Sequence, residues 1–254
     1  MEVHHHPKVD SDSHRKKNFK EYFLEFIMIF VAVTLGFFAE SLREHIVNKA
    51  REREYIKSFY TDLQSDQRDL PELINAINEQ QVKPGESLPV LLGRTTLATE
   101  ADSIYYFFRS FIRQQGIKAF ITDKTIQEIK NAGEMRLITN KQIADSLVNY
   151  YKEVVMIDYL QQTLLGFKSK LLGNIPLILK SADYNAVINS NDNVIMPGHH
   201  LYLLSNDPLV INRILIEVDD IRALSNTIKR EIELLLRENN EMEKLIRANY
   251  KVKN

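Results

Sequence analysis

Four groupings of residues in this sequence could do chemistry. His4, His5 and His6, with His14 nearby, offer imidazoles to a metal, and His199 and His200 offer a metal or acid–base pair with Asp192. Glu25 is an ionisable group in an otherwise apolar run, and Tyr105, Tyr106, Phe107, Phe108 and Phe111 form an aromatic set that could stack on a ligand. Each has a plainer explanation. Adjacent histidines do not create the i, i+4 geometry of a folded metal site, and nothing gives His199-His200 a third ligand at a diagnostic spacing. Aromatic runs of this kind are far more often core packing than a ligand platform. There is no nucleophile elbow, no HExxH and no P-loop. The carboxylates are plentiful, but they fall on amphipathic faces where they serve solubility. No catalytic, cofactor-binding or metal-ligating residue is therefore assigned, no cofactor is expected, and the chain is expected not to be an enzyme.

Glu25 leads to the element that must hold it. From Phe26 to Ala39 the chain reads FIMIFVAVTLGFFA, with Thr34 its only polar residue. Extended to Tyr22–Leu42, the segment makes a helix about 31 Å long at ~1.5 Å per residue, matching a hydrocarbon core of roughly 30 Å. Glu25 and Glu40 lie near its two ends, where a carboxylate can reach the hydrated interface, and Tyr22 and Phe23 stand where interfacial aromatics are expected. A core helix would seldom be apolar on every face for four turns. A cleaved signal would place Phe37 three residues before a cut at Ala39, which disfavours cleavage. The spacing predicts a retained transmembrane helix at 22–42. Five basic residues precede it (Lys8, Arg15, Lys16, Lys17, Lys20) and five follow (Arg43, Lys49, Arg51, Arg53, Lys57), so charge alone does not orient it. The compact Arg15-Lys16-Lys17 cluster favours a cytoplasmic tail and an extracytoplasmic domain.

Around the span the expected organisation is a polar tail at 1–21, a juxtamembrane helical stalk at 43–70, and a helical soluble domain at 71–254. The 254 residues are 44 % hydrophobic with a net charge of −1, enough for a buried core and without the basic field that nucleic acid demands. Cys and Trp are absent, and Gly and Pro are few, so disulfides are excluded and helix is favoured over sheet. In the stalk, Ile46, Ala50, Ile56, Phe59, Leu63 and Leu70 mark an apolar face that runs uninterrupted to Pro71, after which residues 72–81 could form another helical turn or two. Two capping boxes follow, Thr125-x-x-Glu128 and Thr139-x-x-Gln142, with Gly133 placed to end the first helix left-handed and Leu137 and Ile138 wedged into the core between the two. The second helix carries Lys141 and Lys152 against Asp145 and Glu153, too balanced for a DNA-reading helix. Further helix is expected over 155–180 with breaks at Gly166, Gly173 and Pro176, then an irregular stretch at 184–200 in which Val194–Met196 could pair as a short strand. Asp207-Pro208 opens a last long helix at about 208–250. Its Ile221, Leu224, Ile228, Ile232, Leu235, Met242 and Ile246 follow a 3–4 spacing with Asn239 on the seam, a pattern for packing on the stalk of the same chain or for a coiled coil between chains. The expected fold is mainly α: a transmembrane helix continuing into a stalk and a bundle-like domain.

Two blocks, YFLEFIMIFVAVTLGFFAESLREH with REREYIKSFYTDLQSD, and TDKTIQEIKNAGEMRLITNKQIADSLVNYY, resemble a bacterial family of single-span membrane proteins of unknown function. The likeness rests on Glu25, the span, Leu63 with Asp66, and the Thr, Glu, Gly, Leu-Ile, Lys and Tyr-Tyr pattern of the second block, about a third of the chain. The sequence departs from the family in having Arg43-Glu44 where an Asn-Trp often follows the span. The resemblance implies an inner-membrane anchor and a helical domain, and it carries no catalytic residue across.

Three functions fit these features. One is a membrane-tethered interaction or scaffold protein, with the lipid bilayer and a protein partner or a second copy as its partners and Ala32-x-x-x-Gly36 as a packing motif in the span. Another is a sensor whose domain binds a ligand or partner and signals through the stalk. The third is an ion-coupled component using Glu25 as an intramembrane carboxylate.

Overall fold

A computed structural model describes residues 18–82, 101–113, 119–196 and 200–252. Of these residues 83 % are helical and none lies in a strand, so the fold is mainly α as the sequence predicts. The helices are α1 (Phe19–Val82), α2 (Ala101–Arg113), α3 (Lys124–Ala132), α4 (Lys141–Asn174), α5 (Ser181–Ala186) and α6 (Pro208–Asn249), with short 3-10 turns at Met135–Leu137 and Ile175–Leu177. The chain divides into two units after Arg51.

The first unit is the opening part of α1. It is long and apolar enough to cross a membrane, and none of its most apolar stretch is buried. Thr34 gives its hydroxyl to the Phe30 carbonyl at 2.8 Å, which satisfies the one polar side chain of the apolar run. Arg43 pairs with Glu40 at 2.6 Å near the end of the apolar stretch. Ile46 and Ala50, expected on the apolar face of the stalk, are exposed.

Burial begins at Glu52, where the second unit starts. The remainder of α1 is therefore core of the domain, and the division falls at 52 where the sequence suggests 71. Glu52, Ile56, Phe59, Leu63, Asp66 and Leu70 are all buried at a 4-3-4-3-4 spacing, one face of a helix. Against it lie α4 and α6. Asn239 donates to the Leu63 carbonyl at 2.9 Å, Gln67 to Asn240 at 2.7 Å, and the Tyr250 hydroxyl to Glu52 at 2.7 Å, so α6 runs antiparallel to α1. Asn140 bonds Asn249 at one end of α4 and Asn174 bonds Glu217 at the other, so α6 is antiparallel to α4 as well. Phe59 meets Tyr150 edge-on with ring centroids 5.6 Å apart, completing a three-helix core. The seam of α6 is thus filled within the chain: Ile221, Ile228, Ile232, Leu235, Asn239, Met242 and Ile246 are buried.

The aromatic set of α2 is mostly core, with Tyr105, Phe107, Phe108 and Phe111 buried and Tyr106 40 % exposed. The Tyr105 hydroxyl accepts from the Lys180 N–H at 2.6 Å and donates to the Tyr202 carbonyl at 3.1 Å, tying α2 to the chain on either side of α5.

Several expected boundaries move. Pro71 does not end α1, which continues to Val82 although proline supplies no N–H to the preceding turn. Gly166 and Gly173 do not break α4, a single helix of 34 residues held by its buried face. Only at Pro176 does it give way to a 3-10 turn. Neither capping box forms. Asp123 precedes α3 without a side-chain cap, and Asn140, in place of Thr139, caps α4 by accepting from the Ile143 N–H at 3.1 Å. Gly133 does close α3 in the left-handed conformation, at φ 67°. Ile138 is buried and Leu137 half-buried, close to the wedge expected of them. The stretch expected to be irregular starts inside α5, and among its described residues an antiparallel bridge joins Ile188 to Val194. Asp207 caps α6 as expected, accepting from Leu209 at 2.9 Å.

If α1 becomes core only from Glu52, truncations on either side of that point must differ. Phe59→Ala is expected to cost about 3–5 kcal/mol. Val47→Ala, outside the core, should stay within about 0.5 kcal/mol. Denaturant unfolding of the full chain in mild detergent checks both.

Candidate functional site

The side chains with the most unusual surroundings are carboxylates in the buried seam of α1. Glu52, Asp62 and Asp66 are each less than a tenth exposed. None forms an ion pair among the described residues; each accepts hydrogen bonds instead, mainly from the backbone of the segment linking α2 to α4. Asp66 takes the Thr122 N–H at 2.9 Å, Asp62 the Thr125 N–H at 3.1 Å, and Glu52 the Thr139 N–H at 2.6 Å and its hydroxyl at 2.7 Å. Ser58 and Thr125 share a hydroxyl bond of 2.7 Å, and Tyr55 gives its hydroxyl to Glu134 at 2.5 Å. These acceptors satisfy amide donors that their own capping boxes do not, which is why α3 and the start of α4 form without them. The segment is anchored upstream as well, where Gln161 on α4 brackets the Ala119 backbone, accepting from its N–H at 2.6 Å and donating to its carbonyl at 3.3 Å.

Asp66 is the centre of this network. Its second oxygen accepts from the Tyr150 hydroxyl on α4. Burial pushes the Asp66 carboxyl above the usual carboxylate range, against the bonds from Tyr150 and Thr122 and with the help of the nearby Asp62 charge. Burial and the Asp66 charge push the Tyr150 hydroxyl far up, so it stays protonated and donates. At the Glu52 end, Tyr250 is pushed up to about 12 by burial and its bond to Glu52. The arrangement positions backbone; it presents no nucleophile and no open acid–base pair.

The residues that the sequence singles out fall elsewhere. Glu25, Ala32 and Gly36 all lie on the first unit, and a methyl group added at Gly36 would meet nothing within 4 Å. His200 approaches Asp102 on α2, at 3.4 Å, and not Asp192. Asp192 instead sits at φ 61° in a turn where Asn189 accepts from the N–H groups of Asn191 and Asn193. His4, His5, His6, His14 and His199 lie outside the described residues. Among the described residues, no three His, Asp or Glu side chains are grouped to hold a metal.

A groove of about 1000 Å³ runs between α4 and α6. Tyr150 and Met242 contribute to its wall, with Arg237 and Lys244 among its residues against Glu238 and Glu241. With both signs present in equal number, it has no field to select an anion or a cation.

No protein-family model matches this sequence, and no curated protein or solved structure matches it either.

Asp66 sets a pH signature. Because its folded pKa is raised, the folded protein holds the proton more tightly than the unfolded chain. Its contribution to stability is therefore smallest above the folded pKa, grows as pH falls through it, and levels off below the unfolded value of about 3.9. Relative to Asp66→Asn, the wild type is expected to gain stability between pH 7 and 4. Asp66→Ala, which takes the acceptor from the Thr122 N–H and the Tyr150 hydroxyl, should cost about 2–4 kcal/mol at pH 7 and more at pH 4. A wild-type minus Asn difference that does not change with pH would contradict the assignment.

Proposed function

We propose that this protein is a membrane-anchored helical interaction module, held by residues 22–42 and assembling through protein contacts with itself or with a larger complex. The observation that carries the reading is the opening part of α1, apolar on all sides and covered by none of the described residues. So much apolar surface on a helix of bilayer length finds its lowest free energy in lipid. The resemblance to single-span bacterial proteins supports an inner-membrane location with the domain on the extracytoplasmic side. We propose no catalytic role, because the buried carboxylates are engaged in holding backbone. Ala32 and Gly36 are the proposed packing surface of the span.

A second reading, a sensor that signals through α1, is favoured by one observation. The helix that continues from the span is itself the element to which the 119–140 segment is hydrogen-bonded. A displacement of α1 would break or re-register those bonds. An ion-coupled role for Glu25 has no comparable support.

Alkaline carbonate extraction of native membranes tests the anchor. The full-length chain is expected to remain in the pellet. Release of a chain shortened at its N-terminus would show a cleaved signal and overturn the reading. Purification in mild detergent, with the mass determined, then tests the assembly.

A further inference from the structure

Two tyrosines stand side by side on α4 in opposite surroundings. The Tyr150 hydroxyl is buried and donates to Asp66, so burial and a negative neighbour hold it in the phenol form. Tyr151 is partly exposed, on the side of α4 that meets α3. Its hydroxyl oxygen accepts a hydrogen bond from the Gln127 amide at 3.1 Å, and the Lys130 ammonium stands over its ring, 3.9 Å from the centroid. Among the described residues, none accepts the Tyr151 proton.

The geometry comes from α3. Gln127 and Lys130 are three residues apart, so they share one side of that helix. The Gln127 amide nitrogen is held from behind: it donates to the Asp123 carboxylate at 3.1 Å and gives its other hydrogen to Tyr151. A donor on the oxygen and a cation over the ring both favour the phenolate. The Lys130 ammonium, and after it the Gln127 amide, hold the Tyr151 hydroxyl below the usual tyrosine range, against burial and the Asp123 charge. Tyr105, Tyr150 and Tyr250 are pushed the other way, each first of all by burial. Tyr202 also has a lysine over its ring, Lys180 at 5.8 Å, but no described residue donates to its hydroxyl.

We propose that Tyr151 is a modification site, a phenol activated to accept sulfonyl or phosphoryl groups, with Gln127 and Lys130 as its positioning residues. This goes beyond the assembly reading and does not depend on it. An unassisted tyrosine, with a pKa of about 10, is only about 1 % phenolate at pH 8. Neighbours that favour the anion are what turn such a weak nucleophile into an active one. In the transfer, a lone pair of the Tyr151 oxygen forms the new bond to sulfur or phosphorus. The bond to the leaving group breaks and its electron pair departs with that group, while the phenol proton goes to water. The oxygens of the transferred group then lie beside Lys130, which is exposed and makes no ion pair among the described residues, so the negative charge on them meets a cation.

An aryl sulfonyl fluoride tests this on the full-length protein in mild detergent, with labelled residues assigned by peptide mass spectrometry across a pH series. Tyr151 is expected to be labelled fastest of the tyrosines, ahead of Tyr159 and Tyr202, which are 65 % and 59 % exposed, and its rate should rise at lower pH than theirs. Lys130→Met should slow Tyr151 by roughly two- to fivefold, the size of one exposed cation contact, and move its profile to higher pH. Lys130→Arg should keep both rate and profile, and Tyr151→Phe should remove the label. Label on Tyr159 or Tyr202 as fast as on Tyr151, or on Lys130 in its place, overturns the proposal. So does a Tyr151 profile that Lys130→Met leaves unchanged.

Discussion

One helix has to satisfy two environments along its length. Up to Arg51, α1 shows its apolar side chains to the surroundings in every direction. From Glu52 it is a core element of the domain, with one face covered. The domain's architecture depends on that second stretch, because α1 supplies both the apolar seam on which α4 and α6 close and the acceptors that hold the chain between α2 and α4. Two of its seam positions are carboxylates. An ionised group in a helix-packing seam is tolerable only if its hydrogen-bonding capacity is met, and here backbone N–H groups and tyrosine hydroxyls meet it.

The consequence is that α3 and the chain entering α4 are fixed to α1 by hydrogen bonds from a distant part of the sequence. Helix α3 has no side-chain cap of its own, and the N–H of Thr125 at its start is taken by Asp62 on α1. Tertiary acceptors thus stand in for local capping. On the other side of the seam, Asn239 is fully buried and uses its amide N–H on the Leu63 carbonyl, while its own oxygen finds no hydrogen-bond partner among the described residues. A buried polar residue of this sort costs stability and penalises any other register of α6 against α1. Its worth lies in specifying a single alignment of two long helices.

Much of this was legible in the sequence, and the misses have a common physical origin. The apolar run, the long α6 with its Asp207 cap, and the left-handed Gly133 are local signals that tertiary structure did not alter. Pro71, Gly166 and Gly173 are local signals that packing overrode: each costs a helix something, and in α1 and α4 burial of one face outweighs it. The capping boxes failed because better acceptors arrive from a distant helix. The carboxylate network was missed because charged residues read as solvated. A visible signal did exist. In the series Glu52, Ile56, Phe59, Leu63, Asp66, Leu70, the acidic residues occupy rungs that helical spacing reserves for apolar side chains, so reading positions instead of polarity would have placed both in the core.

Amide hydrogen exchange along α1 tests most directly whether the helix is domain core from Glu52 onward. In the full-length protein in detergent, amides of residues 56–70 should exchange as slowly as those of the buried stretches of α4 and α6, while those of 43–51 exchange many times faster. A uniform, fast rate across 43–70 would show a free stalk and contradict the account.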